Sequence, residues 1–408
     1  MSEWEWKRLD VVERVEGGAL TVGEASQVLG LSRWQVRRIR RAVKNRGQEG
    51  VVHGNRGRAP TNRTTEEIRG RVVELARGKY KGFNDTHLTD KLEEEEELKL
   101  SRASVQRILR GGGVEAVRKR RAAKHRRRRE RKPQEGLMLQ WDGSRHDWLE
   151  GRGPILCLMG AVDDATSELQ PGAHFVLQES AAGYLGVLKG IVEEKGLPLS
   201  IYQDRHSSLK RNDACWSLEE ELRGAQEPTQ VGRALAELGI EPIFALSPQA
   251  KGRVERQWGT LQDRLVSELR LAQACTIEEA NAVLDRVRPQ LNRRFGKAAQ
   301  EPTPAWRKVR SGTDLERVCS LRYVATVGND NAVRIGGHVF DIPPGPARRS
   351  YAKAKVEVCQ LLDGSWRIYR EDRLIATAPT TELGELRTLG HRKRSSASRA
   401  FRKAMRAA

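Results

Sequence analysis

Three acidic residues carry the chemistry that this sequence offers most clearly. Asp142 and Asp204 each end an apolar run, and Glu255 lies at the start of a helical pattern that follows a basic loop. Carboxylates packed together repel each other unless divalent cations neutralise them, and oxygen-only ligands favour Mg²⁺ or Mn²⁺ over zinc. We therefore expect the three carboxylates to share one metal site. Three basic residues lie near Glu255 in the sequence: Lys251, Arg253 and Arg256. The alternative is therefore that a phosphate backbone, and not a metal ion, lies beside Glu255.

The surrounding elements must bring two strands and a helix together. From Leu137, short apolar runs alternate with helical segments in the order LMLQWD, ILCLMGAVDDATS, QPGAHFVLQES, AAGYLGVLKGIVEEKG, LSIYQD, VGRALAELG and IEPIFA. This order indicates a mixed sheet flanked by helices. The carboxylates converge only if the first and fourth strands are adjacent and the long helix crosses their ends, as in an RNase H-like fold. Two ions held there would activate a water or a 3′-hydroxyl and stabilise the leaving oxygen of a phosphodiester.

Other polar residues near these strands are interpreted as supports. Asp163 and Asp164 lie in the second strand and its turn, where an aspartate commonly caps the backbone, so a structural role is favoured over metal binding. His146 and His206 follow the two aspartates and are expected to support the site by hydrogen bonding, with positioning of water or phosphate as the alternative. Two tryptophans are interpreted as packing residues, with stacking on a splayed DNA end as the alternative: Trp141 and Trp258.

Length and charge indicate a multidomain protein with a polyanionic partner. A chain of 408 residues exceeds what one core usually fills, so two to four domains are expected. The 74 Lys and Arg residues outnumber the 54 Asp and Glu residues, which gives a net charge of +20 and a pI near 10.1. Such an excess attracts polyanions at long range, and nucleic acid is the leading candidate. The alternatives are a structural protein of the ribosomal kind or a general solubilising charge.

Cysteine use and hydropathy favour the cytoplasm. The five cysteines lie far apart and form no CxxC pair, which argues against a zinc ribbon and a disulfide framework. The longest apolar stretch, PILCLMGAV, is about half of what a membrane span needs, and the N-terminus lacks a hydrophobic signal core. We expect a soluble cytoplasmic protein that does not enter a membrane.

The N-terminal region is predicted to bind DNA. Residues 7 to 46 have the pattern helix, helix, turn, helix, with a small residue at Ser26, a turn at Gly30 and an inward Val36. This is the helix-turn-helix pattern, whose last helix enters the major groove; an ordinary helical hairpin with a basic solvated face is the alternative. The residues expected to point outward toward DNA are Arg33, Gln35, Arg37, Arg38 and Arg40.

Basic and helical segments follow. The RGRAP core of a polar linker, with Arg56 and Arg58, either enters a minor groove or is simply flexible. A second helical unit begins near Thr64 with a capping box and ends at SRASVQRILRGGG. The run VRKRRAAKHRRRRERK then forms no core and is expected to stay solvated or to follow a phosphate backbone.

The motifs resemble those of a known family. The segments QWDGSRHDW, VDDATS, YQDRHSSL and SPQAKGRVERQWGTLQDRL are similar to the catalytic motifs of DDE transposases of the retroviral-integrase superfamily, most closely the ISNCY-type insertion-sequence transposases. By that resemblance Asp142, Asp204 and Glu255 are the DDE triad. Integrase-type helices often carry a lysine one or two turns after the glutamate. Here Gly259 and Gln262 occupy those places, and the cations near Glu255 are the replacement candidates.

The resemblance implies a DNA transposase with about two Mg²⁺ or Mn²⁺ ions per active site. Its partners would be double-stranded DNA, as terminal inverted repeats and target, and further copies of itself in a synaptic dimer or larger homo-oligomer. It would act in a bacterial cytoplasm, associated with the nucleoid when bound to DNA. The alternatives are a catalytically silent DNA-binding regulator derived from a transposase and a structure-specific nuclease that cuts without joining.

The predicted fold class is α/β multidomain. The predicted parts are a helix-turn-helix domain (1–50), a linker (51–63), a second helix-turn-helix or winged-helix domain (64–116), a basic linker (117–136), an RNase H-like catalytic core (137–275), a helical connector (276–317), a small β-barrel-like domain of about five strands (318–380) and a basic, disordered tail (381–408).

Overall fold

The computed structural model describes residues 1–57, 63–117, 130–211, 216, 218–245 and 252–386. Arg58, Lys251, most of the basic run and the tail from residue 387 lie outside the described residues. The chain divides into two compact units, Met1–Arg71 and Val72–Ala408.

The first unit has the predicted order of helices. Helices α1 (Glu3–Glu16), α2 (Val22–Leu29) and α3 (Arg33–Arg46) are followed by a short 3₁₀ helix (Gly47–Val51). Each of the three α-helices begins with a capping box, in which a serine or threonine side chain and an acidic or amide side chain satisfy the first backbone donors. The turn between α2 and α3 contains Gly30 at φ 62°, a left-handed conformation that glycine adopts without steric cost. The helix-turn-helix is therefore present.

Three helices precede the central sheet. They are α4 (Glu66–Arg77), whose first residues still belong to the first unit, α5 (Asp85–Glu94) and α6 (Arg102–Gly111). Asn84 caps α5 and Ser101 caps α6. Helix α5 contacts the long helix α10 (Val254–Leu271) through an ionic network, in which the buried Glu268 lies 2.8 Å from His87 and 2.9 Å from Lys91. Helix α5 consequently forms part of the same compact unit as the sheet.

A five-stranded mixed sheet lies at the centre of the second unit, and its order is β3-β2-β1-β4-β5. Strand β1 is antiparallel to β2, while β1 and β4 are parallel, so the first and fourth strands are adjacent as the site requires. One face packs on α7 and α9, and the opposite face packs on α10 and α11. The elements are β1 (Met138–His146), β2 (Leu156–Asp163), β3 (His174–Val176), α7 (Ala181–Glu194), β4 (Ser200–Gln203), α8 (Leu218–Arg223), α9 (Gln230–Glu237), β5 (Glu241–Phe244) and α11 (Ile277–Phe295).

The polar segment between β4 and α9 contains helix α8. Glu220 of α8 is buried and pairs with Arg211. This ion pair ties the segment back on itself.

The C-terminal region is a β module with six strands rather than five. Four of them form an antiparallel sheet in the order β11-β10-β9-β6, and β7 and β8 form a separate hairpin, so the described strands make an open sheet and not a closed barrel. The module packs against α9, where Arg233 donates to the carbonyl of Ser320 at 2.7 Å. Its elements are α12 (Leu315–Val318), β6 (Leu321–Thr326), β7 (Ala332–Ile335), β8 (His338–Asp341), β9 (Lys355–Gln360), β10 (Trp366–Arg370) and β11 (Arg373–Ala378).

The fold is thus α/β multidomain, with helical units, an RNase H-like mixed sheet and a C-terminal β region. Within the described segments, no helix is both long enough and apolar enough to cross a membrane.

Candidate active site

Asp142, Asp204 and Glu255 lie on the three elements that the sequence predicts. Asp204 directly follows β4, as expected, and Glu255 is the second residue of α10. Asp142 does not end its strand, which was the expectation, because β1 stays paired with β2 as far as His146. The pairing of β1 with β4 nevertheless stops at Gln140. Beyond that residue the two strands separate, and Asp142 lies where the gap opens.

Helix α10 runs along β1 in a regular register. The indole N–H of Trp258 donates to Asp142 Oδ2 at 3.4 Å, and Gln262 Nε2 donates to Ser144 Oγ at 3.2 Å. Four helical residues advance about 6 Å, which nearly matches the advance of two strand residues, about 6.6 Å. The match holds the first turn of α10, with Glu255, beside the half-buried Asp142. Trp258 therefore does more than pack, because it also donates to the candidate ligand.

A buried tyrosine reports that both aspartates occupy one neighbourhood. The pKa of Tyr184 on α7 is raised, mainly because the phenol is buried and also because Glu179, Asp142 and Asp204 lie near it. The phenol O–H donates to Glu179 Oε1 at 2.7 Å.

Trp141 is fully buried, as predicted for a packing residue. Its indole N–H donates to Gln203 Oε1 at 2.9 Å, and this hydrogen bond joins β1 to β4.

The donor set suits a hard divalent cation in its chemistry, because all three candidate ligands are carboxylates. Their arrangement is more open than a finished metal site. Among the described residues, no three acidic, histidine or cysteine side chains stand close enough together to enclose an ion. Glu255 is exposed, so its side chain has room to turn toward the strands.

The cations near Glu255 have different surroundings. Arg253 pairs with the fully buried Asp164, and only 11% of its side chain is exposed. Arg256 is exposed, and its Nε donates to the carbonyl of Gly252 at 2.7 Å. Arg253 is thus an anchor of the α10 N-terminus, whereas Arg256 faces solvent beside Glu255.

Asp163 and Asp164 have the structural surroundings that the sequence favoured. Asp163 Oδ1 accepts from the backbone N–H groups of Ala165 and Thr166 at 2.9 and 2.8 Å, and burial raises its pKa. Asp164 accepts from Gln140 Nε2 at 2.7 Å. Both carboxylates are fully buried within the fold.

The two candidate supporting histidines differ. The backbone N–H of His206 donates to Asp204 Oδ1 at 3.0 Å, so His206 belongs to the turn that carries Asp204. His146 lies four residues, or about 13 Å, along β1 from Asp142, and its ring contacts Trp148 edge-on. The structure brings His206, and not His146, to the site.

The candidate DNA-reading helix α3 presents a mostly exposed basic face, with Arg33, Arg37, Arg38 and Arg40 among its exposed residues. Gln35 is instead half-buried, and its side-chain oxygen accepts from the backbone N–H of Ser32 at 3.0 Å in the capping box.

Two of the candidates for DNA contact form ion pairs. Arg40 pairs with Glu16 at 3.0 Å, and Arg56 pairs with Glu5 at 2.8 Å. An exposed aromatic side chain, which the sequence analysis did not single out, is Trp34 under the guanidinium of Arg38.

Sequence reasoning also missed Glu179 and Tyr184. Glu179 precedes Ser180, the N-cap of α7, in the segment QES before an apolar helical run. That N-cap signal was readable. It predicts a helix start but not that the start lies beside Asp142 and Asp204.

Comparison with known proteins yields two curated relatives. A putative transposase, y4bF, of Sinorhizobium fredii is 37% identical over 295 residues, which are 72% of this chain and 63% of that protein. The transposase for insertion sequence IS1202 of Streptococcus pneumoniae is 29% identical over 415 residues, covering 91% of this chain and 86% of that protein. The chain thus spans less than two thirds of the first relative. No family model matches.

Solved structures give weaker likenesses. A simian T-cell lymphotropic virus intasome chain is 15% identical with a TM-score of 0.31, covering 78% of this chain and 99% of that one. The HTLV-2 integrase catalytic core domain in complex with magnesium is 17% identical with a TM-score of 0.25, covering 37% and 85%.

A mixed sheet with Asp142 on one strand and Asp204 directly after the adjacent strand, beside a helix that carries Glu255, is the arrangement that the DDE resemblance implies. The two curated relatives, which the chain resembles over most of its length, are both transposases.

Proposed function

We propose that the chain is a transposase that binds the terminal inverted repeats of an insertion sequence and carries out metal-dependent DNA strand cleavage and strand transfer. The observation that supports this most directly is the contact between Trp258 and Asp142. Through it the first turn of α10, with Glu255, lies against the strand that carries the first aspartate.

In this proposal Asp142, Asp204 and Glu255 hold two Mg²⁺ or Mn²⁺ ions. The bound ions would supply an activated water or 3′-hydroxyl and stabilise the leaving oxygen. The carboxylates orient that chemistry, and the chain supplies no covalent nucleophile. Exposed Arg256 contacts a DNA phosphate, whereas Arg253 keeps α10 in place.

Recognition of the DNA ends is proposed for the first unit. Helix α3 enters the major groove with its exposed arginines, because helix-turn-helix domains dock in this way. Two DNA ends need two active sites, so the working form is a homo-oligomer. The protein acts in the cytoplasm, at the nucleoid when it is bound to DNA.

The test is strand cleavage and joining with DNA that carries the repeats flanking the gene, in Mg²⁺. Asp204→Ala is expected to abolish cleavage and joining while end binding stays close to wild type, because only a candidate ligand is removed. Asp372→Ala, which removes a fully exposed carboxylate of the C-terminal module, serves as the matched control and should keep activity. Joining by Asp204→Ala would contradict the assignment.

The wild-type result separates the alternative functions. End binding without cleavage identifies a silent regulator derived from a transposase. Cleavage without joining identifies a structure-specific nuclease.

A further inference from the structure

Glu179 lies in the loop that leads from β3 into α7, on the opposite side of the sheet from α10. A quarter of its side chain is exposed. Its Oε1 accepts a hydrogen bond of 2.7 Å from the hydroxyl of Tyr184, which is fully buried on α7. A carboxylate accepting from a rigid, buried phenol is held in one orientation. The buried Tyr184 therefore fixes the orientation of the Glu179 carboxylate.

The same oxygen contacts the turn that carries Asp204. His206 Nδ1 lies 3.4 Å from Glu179 Oε1, and the backbone N–H of His206 donates to Asp204 Oδ1 at 3.0 Å. Since a carboxylate only accepts, the contact with Glu179 is a hydrogen bond when Nδ1 carries the hydrogen. When Nδ1 lacks the hydrogen, it instead accepts from the backbone N–H of Ser208, which lies 3.4 Å away. A continuous path of contacts thus runs from Tyr184 through Glu179 and His206 to Asp204.

Gly143, the residue after Asp142, leaves the space that Glu179 uses. A Cβ built at position 143 would lie 2.8 Å from Glu179 Oε2 and 3.1 Å from Cys157 Sγ. Any larger residue would push the carboxylate away from β1. The buried Cys157 thiol, whose pKa is raised to about 12 by burial first and then by Glu179 and Asp142, gives a second indication that the two carboxylates are neighbours.

We propose that Glu179 is a positioning residue for the carboxylate of Asp204, acting through His206 and anchored by Tyr184. The inference rests on the proposed function, because Asp204 is a candidate metal ligand only if the chain has the proposed active site. Partners that orient a metal ligand without touching the metal typically change metal affinity or activity by about 10- to 100-fold when removed. Glu179 lies outside the four segments that resemble DDE transposase motifs.

Two substitutions at the same position separate orientation from charge. Glu179→Gln keeps an oxygen that accepts from Tyr184 and His206 but removes the negative charge, whereas Glu179→Ala removes both contacts. Tyr184→Phe removes only the anchor. Glu193→Ala, on the same helix with 56% of its side chain exposed, is the control.

Two readouts apply to each variant: Mn²⁺ binding, followed by loss of the free-ion electron paramagnetic resonance signal, and cleavage rate against Mg²⁺ concentration. We expect Glu179→Ala to weaken Mn²⁺ binding and raise the half-saturating Mg²⁺ concentration by about 10- to 100-fold. Glu179→Gln should recover most of that loss, Tyr184→Phe should show a smaller loss, and Glu193→Ala should match wild type.

Two results would overturn the positioning role. One is wild-type Mn²⁺ binding and cleavage in Glu179→Ala. The other is a defect in Glu179→Gln as large as in Glu179→Ala, which would make the charge itself essential. If the wild-type chain binds Mn²⁺ but cleaves no DNA end, the proposed function fails, and the Mn²⁺ titration still tests Glu179.

Discussion

At the scale of single residues, two neighbouring arginines at the N-terminus of α10 have different roles. Arg253 and Arg256 are three positions apart, and both are candidates for DNA contact by sequence. Arg253 pairs with Asp164, whose side chain has no exposed surface. Arg256 is exposed. Sequence spacing alone does not separate them, because their difference comes from the turn after β2 that supplies Asp164.

Arg253→Ala is therefore expected to destabilise the second unit by about 3 kcal/mol, because the buried Asp164 carboxylate loses its arginine partner. The carboxylate keeps its hydrogen bonds from Gln140 and the Lys132 backbone. Arg256→Ala, the matched control, should leave stability nearly unchanged and weaken DNA binding instead. Urea unfolding followed by tryptophan fluorescence measures the first effect, and DNA titration measures the second. Equal stability of the two variants would contradict the anchoring role of Arg253.

At the scale of elements, α5 is joined to α10 by buried polar groups. Glu268, in the last two turns of α10, contacts His87 and Lys91. Arg264, one turn earlier, lies 2.9 Å from Asp90. The helix that carries Glu255 at one end is thus held at its other end by α5. Buried ionic groups of this kind are costly when broken and favour one docking arrangement.

This junction should depend on pH through His87. Burial, the largest cause, lowers its pKa from 6.5, although the hydrogen bond to Glu268 opposes the shift. The charged groups that face it are Glu268 and Arg264 on α10 and Lys91 on its own helix, and Phe83 stacks on its ring at 4.4 Å. Since the folded-state pKa is the lower one, the neutral imidazole contributes its full stability above about pH 6.5, and that stability is lost as the pH falls.

Between pH 7 and pH 5 the wild-type chain should lose thermal stability faster than His87→Gln, by up to about 1.4 kcal/mol per pH unit. Glu268 also has a lowered pKa, with burial opposing the hydrogen bonds from His87 and Lys91. Its contribution falls away at more acidic pH, below this window. His53→Gln, which changes an exposed histidine, is the control. Parallel melting curves for wild type and His87→Gln would disprove the dependence.

At the scale of the whole molecule, we expect the net positive charge to govern binding to DNA. A net charge of +20 predicts sequence-independent affinity that depends strongly on salt. With six or more phosphates contacted, affinity for a duplex without repeats should fall by about 10³-fold or more between 50 and 200 mM salt.

Fluorescence anisotropy at several salt concentrations measures this dependence. Arg256→Gln should reduce the slope of log affinity against log salt by about one. A slope near zero for the wild-type chain would show that the excess charge serves solubility rather than DNA.

Much of the fold was predictable because its signals are local. The helix-turn-helix follows from capping residues and from Gly30 at the turn, and the order of strands and helices in the core follows from apolar runs and their lengths. The C-terminal module was less predictable. Turn dipeptides indicate hairpins, but they do not state how six strands divide between an open sheet and a separate hairpin.

By itself the sequence determined the residue types of the candidate site and the elements that position them: an aspartate on one strand, an aspartate directly after another, a glutamate on a helix, and motifs that resemble DDE transposases. Only the tertiary structure decided which neighbours those residues have. It pairs Arg253 with Asp164, brings Trp258 to Asp142, leaves His146 along the strand and brings Glu179 behind Gly143. The physical reason is the distance along the chain over which each interaction acts. Periodicity and capping act within a few residues, whereas these contacts join residues far apart in the chain, and strand order and helix packing set them.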